Sequence, residues 1–330
     1  MNKIMILVDT KCQSGIFGKE DYDRLAAIGE LHVYDRADFL DKEYLIDFVK
    51  GANVLILSWG SPKLDKAILD VCPDLRGVIY GAGTLRYIMT DDFLKSGIPI
   101  TDSKIVDSRS VAVTTLGVAI AACKGAFTLP NDIKNGLWRE NVHKIKDFYK
   151  IKFGVIGASY VGSYLVELLQ AFDVEVYVYD PTKSAEQIEK MGATKRELNE
   201  LLSECDVISL HAPSLPATEN MINKTNLPLI RDGAIFINTA RGALVNESDL
   251  IEECRKNRFL AILDVFMHEP MEVENPLRTF PNVICLPHVA GTFTNGKRAI
   301  GVHVCEEAER LIRGERMKCE VDLTKLNILA

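Results

Sequence analysis

Short apolar runs alternate with amphipathic stretches along the whole chain. In the first third, the runs 3–8, 31–33, 54–57, 77–80 and 98–101 read as strands, and the stretches 21–28, 43–49 and 64–71 carry helical spacing. This alternation predicts a parallel sheet covered by helices. The middle third repeats the pattern more strongly, with strand-like runs at 153–156, 174–179, 207–211, 234–238, 261–264 and 283–286. The first of these opens onto a helix whose apolar face is Val161, Leu165, Leu168 and Leu169. That spacing suits a helix lying on a sheet. The segment 296–314 is amphipathic, with Val302, Cys305, Ala308 and Leu311 as its stripe. No strand follows it, so it has to pack on something already built.

At roughly 150 residues per domain, a chain of 330 residues has room for two domains. Its 47% apolar and 26% charged residues exclude a disordered or fibrous chain. The net charge is −7 and no dense basic run occurs, so nucleic acid is not an expected partner. The apolar part of MNKIMILVDT is too short for a signal peptide and reads as a first strand. The longest apolar stretch, 111–123, falls short of the roughly 20 residues a bilayer requires. A cytoplasmic protein without a membrane segment is therefore expected. The eight cysteines stand singly, with no C-x-x-C pair. This suits buried reduced thiols better than disulfides or a zinc site, and no metal is expected.

Candidate chemistry begins after the strand 153–156, at Gly157-Ala158-Ser159-Tyr160-Val161-Gly162. A dinucleotide fingerprint reads G-x-G-x-x-G. Gly157 provides the tight turn and Gly162 the close helix–strand packing, while Ser159 replaces the middle glycine. A turn before a buried helix explains the glycines about as well. The next strand changes the balance, because it ends in Asp180, twenty-three residues after Gly157. A carboxylate there accepts from ribose hydroxyls and repels a 2′-phosphate, which favours NAD over NADP.

Three polar groups stand at or just beyond strand ends, where open α/β sheets bind ligands. Arg241 follows the strand 234–238, and its guanidinium can hold a carboxylate bidentately. Glu269 lies in LDVFMHEP and His288 in LPHVAG. A lone histidine there is more often a hydrogen-bonded structural residue than a catalyst, but a carboxylate placed against the imidazole orients the ring and would make His288 a proton donor to a developing alkoxide. His268 is the rival histidine, but its neighbours read as an exposed loop.

NTARGALV, LDVFMHEP, PHVAG, the glycine turn and VYDP, in this order and spacing, resemble the D-isomer-specific 2-hydroxyacid dehydrogenases. The resemblance covers nearly the whole chain and is strongest over 152–292. It implies α/β architecture with two doubly wound parallel-sheet domains and an interdomain cleft. The flavodoxin-like substrate domain would be discontinuous, 1–102 plus 296–330, and the Rossmann NAD-binding domain would be 103–295. Carried over, Arg241 binds the substrate carboxylate, His288 is the acid/base and Glu269 holds it. Gly157, Ser159, Tyr160, Val161, Asp180, His211, Ala212, Pro213, Thr239, Ala240, Asp264 and Gly291 line the NAD site. The helix over 111–123 resembles a dimer-packing segment, so a homodimer through the NAD-binding domain is expected; a wholly intramolecular core helix is the alternative.

The substrate loop departs from the family's A-G-V-G-x-D-N pattern. It reads Ala82-Gly83-Thr84-Leu85-Arg86-Tyr87-Ile88 and is one residue shorter. Gly83 and Thr84 can still offer amides to a carboxylate. Arg86 either contacts a second polar or anionic group on the substrate or is a solvated flank residue. Tolerance for the substrate tail falls to 84–87 and to the loop near 59–61. Val113 stands where the family often has an acid. The chain after the closing helix is too short for a regulatory domain, which counts against the long forms of phosphoglycerate dehydrogenase. The expected activity is NAD-dependent interconversion of a 2-keto acid and a D-2-hydroxy acid (EC 1.1.1.-). The alternative is an NAD(H)-sensing, corepressor-like protein on the same fold.

Overall fold

The computed structural model describes residues 2–325. The chain divides into two compact units. One comprises the residues up to Asp107 and those from Thr292 onward; the other is Ser108–Gly291. The sequence reading set these breaks at 102/103 and 295/296.

The first unit holds a five-stranded sheet of β1 (Lys3–Ile6), β2 (Glu30–Val33), β3 (Val54–Leu57), β4 (Gly77–Tyr80) and β5 (Ile100–Thr101). All its pairings are parallel and the order is β2-β1-β3-β4-β5, the flavodoxin-like order. Side chains alternate between the two faces, as the period of two requires. Met5, Leu55, Leu57 and Val78 face one core with Leu45, Val49 and Phe93. Ile4, Ile6, Val54, Ile56 and Ile79 face another with Leu25, Ile300, Val304, Ala308 and Leu311. The closing helix, Asn295–Ile312, therefore packs on this sheet. Its stripe differs from the sequence reading: Val302 is 42% exposed, and Ile300 and Val304 take the buried face.

The second unit holds seven strands: β6 (Lys152–Ile156), β7 (Glu175–Tyr179), β8 (Thr194–Lys195), β9 (Val207–Leu210), β10 (Ile235–Asn238), β11 (Leu260–Leu263) and β12 (Val283–Cys285). They pair in parallel in the order β12-β11-β10-β9-β6-β7-β8. This is the dinucleotide-fold order with one strand added, and its switch point lies between β6 and β9. The apolar stretch 111–123 belongs to a longer helix, Lys104–Cys123, whose apolar length and composition match a membrane crossing. Ala112, Ala119, Ala122 and Cys123 on that helix pack with Phe153, Val155, Leu165 and Val207, as in the core helix of an α/β domain. All eight cysteines are free thiols.

Candidate active site

At the β6/β9 switch point the backbone is crowded. Gly157 has φ +92, and a Cβ on it would stand 2.6 Å from the Ala212 amide nitrogen. A Cβ on Gly162 would stand 1.9 Å from the Gly157 carbonyl oxygen. The two glycines thus let the helix Tyr160–Leu169 start directly over the turn. Ser159 occupies its N-cap with no side-chain cap hydrogen bond, and both Ser159 and Tyr160 are exposed. A helix start of this kind presents backbone amides and a positive dipole end to an anion.

Asp180 closes the other side of this turn. Its Oδ2 accepts from the Ala158 amide at 2.8 Å, and its Oδ1 accepts from the Thr182 amide at 2.8 Å and the Thr182 hydroxyl at 2.6 Å. Burial alone would raise this carboxyl, but the hydrogen bonds outweigh it and hold the group below the usual aspartate range. The result is an ionised acceptor beside the glycine turn. His211, just past β9, is buried; it shares a 2.5 Å hydrogen bond with Ser209 through Nε2, and its Nδ1 has no partner among the described residues. Burial pushes its imidazole down to about 3, so the ring is neutral. Glycine turn, open helix start, ionised Asp180 and the unpartnered His211 nitrogen together fit a dinucleotide.

A second cluster stands past β10, β11 and β12. Asn238 ends β10, where its Oδ1 accepts from the Ala240 amide and its Nδ2 donates to the Arg241 carbonyl, both at 3.0 Å. This side chain shapes the turn that presents Arg241. Arg241 is exposed, and its Nη1 donates to the Ala240 carbonyl at 2.6 Å. Thr239 is buried and shares a 2.8 Å hydrogen bond with Thr115. A Cβ on Gly242 would stand 2.1 Å from the Phe266 carbonyl carbon, so the Arg241 turn lies against the loop after β11.

That loop carries Glu269. Its Oε1 accepts from the Phe266 amide at 3.0 Å, and its Oε2 accepts from His288 Nδ1 at 2.6 Å. His288 Nε2 is the ring nitrogen left to face a ligand. His288 has φ +54, a left-handed conformation uncommon for a non-glycine residue, and its segment is held from two sides. Asp264 accepts from the Val289 amide at 2.8 Å and the Ala290 amide at 2.9 Å. Ser110 donates to the Gly291 carbonyl at 2.9 Å, and Thr114 donates to the Ala290 carbonyl at 3.1 Å. Burial raises the Asp264 carboxyl in spite of its two amide bonds. His268 is exposed.

The geometry thus joins Glu269 to His288, ties Asp264 to the His288 segment and packs the Arg241 turn onto the Glu269 loop. Gly83, Thr84 and Arg86 belong to the other unit. Gly83 and Thr84 follow β4, and Arg86 is exposed in the turn Leu85–Tyr87. Sequence reasoning missed Ser110, Thr114, Asn238 and Ser209. Asn238, a polar residue closing an apolar strand before a turn, is the one that carried a local signal.

Residues 116–290 match the family described as D-isomer specific 2-hydroxyacid dehydrogenase, NAD binding domain. The chain belongs to this family. It is 32% identical to D-3-phosphoglycerate dehydrogenase of Methanocaldococcus jannaschii over 92% of its own length and 57% of that protein's. It is 26% identical to hydroxypyruvate reductase of Blautia hydrogenotrophica, covering 94% of this chain and 97% of that one. Among solved structures, it resembles the NAD-complexed D-isomer specific 2-hydroxyacid dehydrogenase of Lactobacillus delbrueckii ssp. bulgaricus. That likeness has a TM-score of 0.79 and 22% identity, over 98% of this chain and 100% of that chain. The cofactor of this family member is NAD. These relatives are named as dehydrogenases and reductases, which favours the enzymatic reading over the NADH sensor.

Proposed function

We propose that the protein interconverts a 2-keto acid and a D-2-hydroxy acid, with Arg241, Glu269 and His288 as its chemical residues. The observation that carries this reading is the 2.6 Å His288–Glu269 hydrogen bond, made by a histidine held in a left-handed conformation. The bond engages Nδ1 and directs Nε2 outward to a ligand. Arg241 binds the substrate carboxylate and leans on the 2-keto oxygen. Bound NADH supplies the hydride that reduces the keto carbon. His288 Nε2 gives its proton to the carbonyl oxygen as charge develops there, and Glu269 stabilises the imidazolium before that transfer. In the oxidative direction, neutral His288 takes the hydroxyl proton.

The amides at Ser159, Tyr160 and Val161, beside the Gly157 turn, would hold the cofactor's pyrophosphate, and Asp180 would accept from its ribose. His211, Ala212, Pro213, Thr239, Ala240 and Gly291 line its length. Asp264 acts by fixing the His288 segment through the amides of Val289 and Ala290. The residues up to Asp107 and from Thr292 onward form the substrate unit, with Gly83 and Thr84 as carboxylate donors. Two copies pair through the NAD-binding unit, where Val113, Ile133 and Trp138 are each more than half exposed. Free thiols throughout suit a reducing compartment, and the cytoplasm is where we place the enzyme.

The test is NADH oxidation against a panel of 2-keto acids, with NADPH as the competing donor. The parent protein turns over at least one of them, prefers NADH, and loses about 10²–10⁴-fold in kcat on His288→Ala. NADH binding without turnover by either protein would sink the proposal in favour of the sensor.

A further inference from the structure

The loop that carries Glu269 has little apolar anchorage of its own. It runs from β11 to the short turn Pro276–Arg278, and every residue of 267–274 except Met271 is exposed. An irregular, solvated segment of this kind keeps a fixed course only through polar ties. Arg278 and Glu247 supply them. Arg278 donates from Nε to the Glu272 carbonyl at 2.8 Å and from Nη2 to the Met271 carbonyl at 2.7 Å. Glu247 holds both feet of the loop. Its Oε2 accepts from the Met267 amide at 3.0 Å, and its Oε1 accepts from Asn275 Nδ2 at 2.8 Å.

Met267 follows the residue whose amide Glu269 itself grips. Two neighbouring amides, Phe266 and Met267, are thus each fixed by a carboxylate. The same peptide lies against the Arg241 turn, since a Cβ on Gly242 would stand 2.5 Å from the Met267 amide nitrogen. Glu247 stands at the first position of the helix Glu247–Arg255, which follows that turn directly. One short segment therefore bears both Arg241 and the carboxylate that ties down the Glu269 loop.

Helix stability does not call for this arrangement. An acid in the first turn favours the helix dipole wherever its oxygens point, and Asp249 is a second acid there. Asn246 already caps the helix by accepting from the Asp249 amide at 3.0 Å. Glu247 instead commits both oxygens to the loop, through charge-assisted bonds stronger than neutral ones. We infer that Glu247 is a positioning residue, which sets Glu269 against His288 Nδ1 by holding the Met267 amide and the Asn275 side chain. Its consequence for turnover rests on the dehydrogenase reading above.

The test compares the whole chain with its Glu247→Ala and Glu247→Gln variants. The first readout is the nitrogen NMR shifts of the neutral His288 ring, assigned by their loss in His288→Ala. In the parent they place the proton on Nδ1, against Glu269. Glu247→Ala moves them toward the other tautomer, whereas Glu247→Gln, which still offers Met267 an acceptor oxygen, keeps most of the parent pattern. The second readout is kinetics on a 2-keto acid that the parent reduces. In Glu247→Ala, kcat falls about ten- to a hundredfold, the scale of a small misplacement of a catalytic group, while the Kd for NADH is unchanged. Glu247→Gln recovers most of kcat. A role confined to stability would lower the urea midpoint and leave the ring shifts and kcat at parent values, and that result overturns the inference. Should Glu247→Ala not fold, Asn275→Ala removes the second tie alone, and parent ring shifts there overturn it as well. If the parent reduces no 2-keto acid, the dehydrogenase reading fails, and the ring shifts still decide whether Glu247 positions Glu269.

Discussion

His211 couples the NAD-binding unit to pH. Its imidazole sits at about 3 in the folded protein because burial disfavours the charged ring, against 6.5 for the free side chain. Between these values the unfolded chain takes up a proton that the folded chain refuses, so stability falls as pH drops below 6.5. At 1.36 kcal/mol per pH unit, the loss at pH 5 is about 2 kcal/mol. Asp180 and Asp206 have the opposite origin, with folded-state carboxyls below the aspartate value, and their stabilisation is lost only as pH falls through that lower range. Urea unfolding at pH 7.5 and pH 5 should therefore show a marked drop in the parent and a smaller one in His211→Gln. An equal drop in both would show that the ring is already solvated. The residue type and its place after a strand could be read in the chain, but the burial that neutralises the ring could not.

At the scale of elements, the catalytic reading depends on one segment, 288–291, held between donors and acceptors from elsewhere. Asp264 supplies two acceptors to amides, while Ser110 and Thr114 donate to carbonyls. Asp264→Asn puts a donor against one of those amides. We expect a loss of about 1–3 kcal/mol in stability, the scale of an unsatisfied buried polar group. We also expect kcat to fall at least tenfold while circular dichroism shows a folded chain. Native kcat in that variant would detach Asp264 from the histidine's placement. Most strands were legible because their apolar runs are continuous: β3, β9 and β10 are buried along their whole length. β8 was not, since Thr194–Lys195 is two residues long and carries no apolar side chain. The helix Thr10–Ile16 also escaped, because it buries only Gln13 and Ile16, too few for a period to show. The closing helix was legible as a helix, but its buried face was set by contact with the sheet: Gly301 comes so close that a Cβ would meet the Ile16 carbonyl at 2.4 Å, and Val302 turns outward.

For the whole molecule, association is the open physical question that exposure poses. Trp138 is 77% exposed, and Ile133 and Val113 are 52% and 55% exposed in the same unit. A partner copy covering these side chains is what the proposed homodimer requires. Sedimentation should give a species of twice the chain mass, and Trp138→Glu should shift it toward the monomer. A parent that sediments as a monomer at micromolar concentration would count against the homodimer. The chain by itself determined the class of fold and the alternation that builds two parallel sheets, and it put Arg241, Glu269 and His288 at or just beyond strand ends. These are properties of local period and of side-chain chemistry, which neighbours along the chain suffice to reveal. Only the tertiary structure decided that Glu269 reaches Nδ1 of His288 and that Asp264 grips the following amides. Those facts depend on residues brought together from distant strands, and no local period encodes such a distance.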